Sequence, residues 1–180
     1  MKILAFGASS SKNSINKKFA TYATTFFENA DIEILNLSQF EMPVFSVDKE
    51  KDNGFPPAAY QFLEKISKTD LLIISMAEHN GSYTTAFKNI LDWSSRINGK
   101  IFHNKPMLLM STSPGRRGAK SVLESAKARF PFHAANILSV FSLPQFELNF
   151  SEDKGITDPE LKEMFLESID IVKKTLNQKM

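Results

Sequence analysis

One stretch of this chain joins an apolar segment, a polar loop and an amphipathic segment: residues 71–93 read LLIISMAEHNGSYTTAFKNILDW. The apolar run at residues 71–74 predicts a buried strand. A polar loop with Gly81 at its centre follows, and a helix is predicted from about residue 84 to residue 97. Ligands of open α/β sheets bind in the crevice outside the carboxyl ends of the strands, so this loop is expected to line a binding site.

A second loop of this kind follows the apolar strand predicted at residues 2–6. Residues 7–16 read GASSSKNSIN and lead into a helix that begins near Ser14. The N-terminus of a helix presents unpaired N–H groups and a partial positive charge, and both favour a phosphate. The predicted phosphate ligands are Ser9, Ser11, Ser14, Ile15 and Asn16. The alternative is a serine-rich turn in which Ser14 simply caps the helix.

The central loop suits a flat polar ring such as a flavin. The pair Asn80-Gly81 allows a turn with positive φ that exposes backbone amides and carbonyls, and the pyrimidine edge of a flavin alternates donors and acceptors. The residues predicted on the ring side are Ala77, Glu78, His79, Asn80 and Gly81. Two of these residues have an alternative interpretation as surface residues without a ligand: His79 as an ordinary loop histidine and Glu78 as a solvated charge.

A third loop follows the strand predicted at residues 106–112. Residues 111–119 read STSPGRRGA, which combines glycines with two guanidinium groups suited to a phosphate or a ring edge. Ser113, Pro114, Gly115 and Arg116 are predicted to complete the pocket, although adjacent loop arginines are often only solvated. A phosphate loop and a ring loop at one sheet edge suggest a mononucleotide. The chain lacks the P-loop and GxGxxG patterns in these loops, which disfavours a nucleoside triphosphate or a Rossmann-bound dinucleotide.

Strand and helix patterns alternate along the chain, which predicts a parallel sheet with helices on both faces. The predicted strands cover residues 2–6, 32–35, 70–75, 106–112 and 135–141, and the predicted helices begin near residues 14, 56, 84, 118 and 158. The polar segment 38–55 is predicted to be a long loop. The pattern therefore predicts an α/β, flavodoxin-like three-layer fold, with a five-stranded parallel sheet between helices, as a single domain over residues 1–180.

The composition is that of an ordinary globular protein of 180 residues, 42% hydrophobic and 23% charged. The 22 basic and 20 acidic residues give a net charge of +2, so charge provides no reason to expect a nucleic acid or a membrane as partner. The chain has no cysteine, which removes disulfides and thiolate metal ligands, and no metal site is predicted. The sequence shows no signal-peptide or transmembrane pattern, so a cytoplasmic location is expected.

Three segments match, in order, the motifs of one protein family. Residues 8–16 resemble a Gly-Ser-x-Arg…Ser-x-Asn phosphate loop, residues 77–93 resemble Pro-Glu-Tyr-Asn-Gly-Ser followed by a Lys-Asn-x-x-Asp-Trp helix, and residues 113–119 resemble a glycine-rich flavin loop. These motifs are those of the NADPH-dependent FMN reductase family, the flavodoxin-like group that includes azoreductases and chromate or quinone reductases. The resemblance spans roughly residues 1–145. It implies FMN as cofactor, NADPH or NADH as reductant, and a homodimer or homotetramer.

The function implied by this resemblance is that of an NAD(P)H-dependent, FMN-containing oxidoreductase. Hydride would pass from the nicotinamide to FMN, and electrons would then pass to a small acceptor such as a flavin, a quinone or an azo compound. The flavin supplies the chemistry, so no catalytic side chain is predicted. Ser11, Ala77 and His79 stand where the family usually has Arg, Pro and Tyr. Two alternatives stay open: a flavodoxin-like electron carrier, which the charge of +2 disfavours because such carriers are typically acidic, and a flavodoxin-fold module that has lost FMN and catalysis.

Overall fold

The computed structural model describes residues 1–178, and the strands and helices named here are those of that range. The strands are β1 (Lys2–Gly7), β2 (Asp31–Ile34), β3 (Leu71–Met76), β4 (Glu78–His79), β5 (Ser82–Tyr83), β6 (Pro106–Thr112), β7 (Asn136–Leu143), β8 (Phe150–Ser151) and β9 (Gly155–Ile156). The α-helices are α1 (Ile15–Thr24), α2 (Val47–Asn53), α3 (Pro57–Ser67), α4 (Thr85–Ile97), α5 (Lys120–Arg129), α6 (Phe146–Asn149) and α7 (Pro159–Asn177). Short 3-10 turns occupy Leu37–Phe40 and Phe130–His133.

Five of the strands form one parallel sheet in the order β2-β1-β3-β6-β7. Ala5 in β1 lies opposite Ile34 of β2 on one side and Ile73 of β3 on the other. Because the five strands run in the same direction, the loops that follow β1, β3 and β6 lie at the same edge of the sheet. The predicted flavodoxin-like fold with a five-stranded parallel sheet is confirmed.

Helices cover both faces of the sheet, and successive strand side chains alternate between the two faces. One core contains Leu4 and Phe6 from β1 with residues from α3, α4 and α5, and the other contains Ile3 and Ala5 with residues from α1 and α7. Phenylalanine rings fill much of both cores. The fully buried rings are Phe6, Phe62, Phe87, Phe102 and Phe130 on the first face, and Phe19 and Phe165 on the second. The protein therefore has the predicted three layers.

The prediction of a long loop at residues 38–55 is wrong, because this segment contains helix α2. Every residue of α2 is exposed except Glu50, which is half-buried, so the helix has no apolar periodicity that a sequence pattern can reveal. Its ends do follow the usual rules, since Ser46 caps the first turn and Gly54 ends the helix with a φ of 70°. Glu50 forms an ion pair with Arg96 of α4, which holds α2 against the body of the protein.

Several predicted boundaries shift by one or two residues. The strand predicted at 106–112 agrees with β6, whereas β3 ends at Met76, one residue past the predicted end, and β7 continues to Leu143. Helix α5 begins at Lys120 rather than near residue 118, because Gly118 and Ala119 have φ values of 57° and 61° and are not helical. The two-residue strands β4 and β5 form a hairpin within the predicted central loop.

Within residues 1–178, no helix combines the length and apolar character needed to cross a membrane. The same part of the chain has no cluster of three or more His, Asp or Glu residues that could hold a metal ion.

Candidate cofactor site

A cleft of about 210 Å³ opens at the edge of the sheet where β1, β3 and β6 end. Ten of the predicted site residues line it: Ser9, Ser11, Ser14, Ile15, Asn16, Ala77, Glu78, His79, Ser113 and Pro114. Four predicted residues, Asn80, Gly81, Gly115 and Arg116, are exposed and lie outside the cleft lining. The lining also includes Asn13 and Thr112, which the sequence patterns did not single out. The structure therefore brings the three predicted loops together at one site.

A larger groove of about 760 Å³ lies elsewhere on the protein. Met1, Asp70 and Pro106 line it, and these residues stand at the amino ends of β1, β3 and β6. The groove is therefore at the opposite edge of the sheet, and its lining shares no residue with the three predicted loops. Binding sites of parallel α/β sheets lie at the carboxyl edge, so the smaller cleft is the better candidate.

The start of α1 forms the part of the cleft that suits a phosphate. The hydroxyl oxygen of Ser14 accepts a hydrogen bond from the Lys17 N–H at 3.2 Å, so Ser14 is the helix cap. In the described chain, neither the Ile15 nor the Asn16 N–H donates to a protein acceptor. Two N–H groups with the positive end of the helix dipole are therefore available to an anion at this position.

Gly7, the last residue of β1, allows α1 to begin very close to the sheet. A Cβ atom at this position would lie 2.6 Å from the carbonyl carbon of Asn16 and would also overlap the Lys17 nitrogen. Both obstacles are backbone atoms, so a larger residue would force the helix away. The tight turn from β1 into the first loop thus depends on the missing side chain of Gly7.

The side chain of Asn16 joins α1 to the ends of two neighbouring strands. Its amide oxygen accepts hydrogen bonds from the Ser75 hydroxyl at 2.7 Å and from the Thr112 N–H at 3.1 Å, and its amide nitrogen donates to the Thr112 carbonyl at 3.1 Å. The residue is only 3% exposed. Its side chain is therefore used inside the protein, and its backbone N–H is the group left for the predicted contact with a phosphate, which stays a prediction.

The central loop is a tight hairpin. Asn80 and Gly81 have φ values of 52° and 77° and connect β4 to β5, with His79 opposite Ser82. Positive φ at both turn residues is characteristic of the two-residue turns that join antiparallel strands, and Asn-Gly is the preferred pair. The positive φ predicted for this pair is confirmed. His79 is exposed at the start of the turn, whereas Ala77 is buried at its base.

Tyr83 anchors the hairpin to the rest of the protein. Its ring lies parallel to that of Phe130, with 6.3 Å between the ring centres. Burial raises the pKa of Tyr83, and the charge of Arg129 opposes this shift. The phenol is therefore neutral at physiological pH and serves to pack the hairpin against the protein.

Two further side chains connect the central loop to its neighbours. The Thr84 hydroxyl donates to the Ala8 carbonyl at 2.9 Å and also caps α4 by accepting from the Phe87 N–H at 3.2 Å. The carboxylate of Glu78 accepts a hydrogen bond from the Val122 N–H at 2.9 Å, in the first turn of α5. The predicted contact between Glu78 and a flavin ring stays a prediction. The observed partner of one Glu78 oxygen is the helix that follows the third loop.

The third loop is held by the segment that follows β7. The N–H groups of Gln145 and Phe146 donate to the carbonyls of Gly115 and Ser113, at 3.0 and 3.1 Å. The Gly118 carbonyl accepts from the hydroxyls of Ser111 and Ser142, at 2.6 and 2.9 Å. Arg116 is exposed and forms no hydrogen bond or ion pair with the rest of residues 1–178. The loop backbone is thus fixed, while one guanidinium group at its tip stays available.

Comparison with known protein families gives a match that includes all three loops. Residues 1–148 match the model of the family described as NADPH-dependent FMN reductase. The chain belongs to this family. The predicted family is confirmed, and its description names FMN and NADPH as the cofactors of the family's reaction, so the predicted function and cofactors are confirmed at the level of the family.

Two quinone reductases are among the proteins that resemble this member of the FMN reductase family. An NADPH:quinone oxidoreductase of Arabidopsis thaliana is 29% identical over 142 residues, which cover 75% of this chain and 71% of that protein. A quinone reductase of Escherichia coli K12 is 28% identical over 129 residues, or 69% of this chain and 63% of that protein. The chain thus matches slightly less than two thirds of the Escherichia coli protein.

The fold is shared with the flavoenzyme NAD(P)H:(acceptor) oxidoreductase FerB of Paracoccus denitrificans. The two structures align with a TM-score of 0.72 over 96% of this chain and 97% of FerB, at 22% sequence identity. At this level of identity the likeness establishes the flavodoxin-like fold.

Sequence patterns missed the residues that hold the FMN reductase loops in place. Thr84 carried a readable signal, since a threonine directly before an amphipathic segment is a typical helix cap. Ser75, Thr112 and Val122 carried none, because they take part through a strand hydroxyl or through backbone groups. Such contacts depend on which strands are neighbours, and a single sequence does not state this order.

Proposed function

We propose that this protein is an NAD(P)H-dependent, FMN-containing oxidoreductase that reduces a small acceptor such as a quinone, a flavin or an azo compound. The observation that carries the proposal is the pair of unpartnered N–H groups of Ile15 and Asn16 at the carboxyl edge of the sheet, where both residues line the same cleft as three serines. This arrangement fits the terminal phosphate of a mononucleotide. Membership of the FMN reductase family supports FMN as that nucleotide.

The residues of the cleft would hold the two ends of FMN in different ways. Ser9, Ser11 and Ser14 have hydroxyls for the phosphate, next to the helix N-terminus. The hairpin that contains Glu78–His79 and the loop that contains Ser113 and Pro114 would border the flavin ring. Bound FMN supplies the two-electron redox chemistry between the nicotinamide and the acceptor. No side chain is assigned as a general acid or base, and the protein acts by binding, orienting and excluding water.

Arg116 would bind the reductant. Its guanidinium group is exposed at the tip of the third loop, next to cleft residues Ser113 and Pro114. A guanidinium group in this position suits the pyrophosphate or the 2′-phosphate of NADPH.

A homodimer or homotetramer is part of the proposal, as are a single domain over residues 1–180 and a cytoplasmic location. The cleft of about 210 Å³ is smaller than the roughly 300–1,000 Å³ of most small-molecule sites, so part of a bound flavin would lie outside it. A second subunit would cover that part.

The test is the cofactor content and the reductase activity of the purified protein. We expect a yellow protein that releases FMN on heating, identified by chromatography, and that oxidises NADPH or NADH when a quinone is added. Release of stoichiometric FAD would overturn the choice of cofactor. A colourless protein that does not take up FMN would instead support the alternative of a flavodoxin-fold module without catalysis. Bound FMN without NAD(P)H oxidation would support the electron carrier.

A further inference from the structure

Helix α5 begins without a capping side chain of its own. The residue before it, Ala119, has the left-handed conformation with φ 61° and ψ 37°, and it has no side-chain hydrogen-bonding group. Gly118 before it also has a positive φ of 57°. The usual capping residue is extended and carries an oxygen that accepts from the first turn. The path of the chain through Gly118 and Ala119 excludes that arrangement.

The missing cap is supplied by Glu78, which is 44 residues away in the sequence. Its carboxylate accepts the hydrogen bond from Val122, the third residue of α5, at 2.9 Å. A carboxylate at a helix N-terminus forms a charge-assisted hydrogen bond and also interacts favourably with the helix dipole. Glu78 is half-buried and lines the cleft. One side chain therefore joins the ring-side hairpin to the helix that follows the third loop.

We propose that Glu78 is a positioning residue for the cofactor, which acts by fixing the third loop through α5. This inference rests on the proposed function, because it assumes that the cleft binds FMN. The third loop has three anchors. The Gln145 and Phe146 N–H groups hold its beginning, and the Ser111 and Ser142 hydroxyls hold the Gly118 carbonyl near its end. The Glu78 carboxylate holds the helix that follows. If this last anchor is lost, the first turn of α5 is no longer joined to the hairpin, and we expect the ring side of the cleft to lose part of its shape.

This role differs from a direct contact between Glu78 and the flavin. A direct ligand would change FMN affinity and leave the first turn of α5 as it is. A positioning residue would change both together. Glutamine separates the two roles further, because its amide oxygen can still accept from the Val122 N–H although its negative charge is gone.

The experiment compares Glu78→Ala and Glu78→Gln with the wild-type protein, and Glu124→Ala serves as the matched control. Glu124 is an exposed glutamate of α5, and its loss changes the net charge by the same amount. Hydrogen exchange over residues 118–126 is measured on the FMN-free proteins, and FMN affinity is measured by titration of flavin fluorescence. Exchange does not need the cofactor, so a failure of the proposed function is distinguished from a failure of this inference.

We expect Glu78→Ala to speed exchange in the first turn of α5 and to weaken FMN binding roughly tenfold or more, as for the loss of a hydrogen bond to a charged group. Glu78→Gln should stay within about threefold of wild type in both measurements, because a neutral hydrogen bond is weaker but is still present. Glu124→Ala should match wild type. If Glu78→Ala does not fold, we use Glu78→Asp instead. The aspartate side chain is one methylene group shorter, so its carboxylate should not reach the Val122 N–H.

Three outcomes would overturn the inference. Weaker FMN binding with unchanged exchange would make Glu78 a direct ligand. Faster exchange with unchanged FMN affinity would make the contact structural only. Equal behaviour of the alanine and glutamine variants in exchange would mean that the hydrogen bond to Val122 does not hold the helix.

Discussion

The loop after β1 and the loop after β6 line the same cleft but are held in opposite ways. The first loop has exposed residues from Ser10 to Asn13, and the helix after it offers two unpartnered N–H groups. In the third loop the carbonyls of Ser113, Gly115 and Gly118 all accept hydrogen bonds from the protein itself. The first loop therefore offers donors to a ligand, while these three carbonyls of the third loop are satisfied before a ligand arrives.

The two loops also differ in how much of their shape comes from nearby residues. The first loop obtains its tight turn and its helix cap from Gly7 and Ser14, which lie within eight residues of each other, although Thr84 also ties it to the central loop. The third loop depends on Gln145, Phe146 and Glu78, which belong to other parts of the chain. The two loops should accordingly respond differently to substitution.

Gly7→Ala should produce the largest effect, because it removes the close approach on which the first loop depends. The new Cβ would overlap backbone atoms of Asn16 and Lys17, so we expect a loss of about 3 kcal/mol or more of unfolding free energy and no FMN binding. Urea unfolding and FMN titration measure the two effects. Gly99→Ala is the control, since a Cβ there meets no atom of the described chain within 4 Å, and its stability should change by less than about 0.5 kcal/mol. Similar losses in both variants would contradict the explanation.

Asn16→Ala should have the next largest effect, because Asn16 joins the first loop's helix to the end of β6. The substitution leaves the Ser75 hydroxyl and the buried Thr112 N–H without their partner, and we expect a loss of roughly 2–3 kcal/mol of unfolding free energy. Asn13→Ala, at an exposed position of the same loop, should be nearly neutral for stability. Thermal unfolding of both variants is the measurement. An Asn16→Ala protein as stable as Asn13→Ala would mean that these hydrogen bonds contribute little.

Ser14→Ala tests whether the first loop does more than cap a helix. Loss of the cap should lower stability by about 1 kcal/mol, and loss of a hydroxyl that faces a phosphate should weaken FMN binding roughly tenfold or more. Ser46→Ala is a close control, because Ser46 caps α2 with the same 3.2 Å distance from its oxygen to the Lys49 N–H. We expect Ser46→Ala to lower stability and to leave FMN affinity unchanged. Unchanged FMN affinity in Ser14→Ala would leave capping as the role of this serine.

Arg116→Ala should have the smallest effect, because it should change only the kinetics with NAD(P)H. We expect a higher KM for NAD(P)H and a kcat/KM about tenfold lower, with FMN affinity unchanged, because the guanidinium would contact only the nicotinamide nucleotide. Arg117→Ala is the matched control, since Arg117 already donates to Ser121 at 3.0 Å. If Arg116 contacts the 2′-phosphate, Arg116→Ala should also narrow the preference for NADPH over NADH, measured as the ratio of the two kcat/KM values. Unchanged kinetics with both nucleotides would show that the reductant is held elsewhere.

The sequence predicted the parts of the structure that local patterns encode. The apolar strands predicted at residues 70–75 and 106–112, the Ser14 cap and the Asn80-Gly81 turn all follow from short-range rules, and the structure agrees with them to within one residue. Helix α2 was missed because its exposed surface has no apolar stripe. The side-chain roles of Asn16 and Glu78 were missed for another reason: their partners, Thr112 and Val122, lie 96 and 44 residues away. Only the strand order brings these groups together.

The contacts of Asn16 have a consequence for the biosynthesis of the protein. They join α1 to the ends of β3 and β6, which are synthesised 59 and 96 residues later. A nascent chain that still lacks β6 cannot complete these contacts, although its first loop has already been made. If FMN binds only after the whole edge has formed, the cofactor acts late and stabilises the finished domain by mass action, by about 2.7 kcal/mol when free FMN exceeds its Kd a hundredfold. The supply of flavin in the cell would then help to set how much of this protein remains folded.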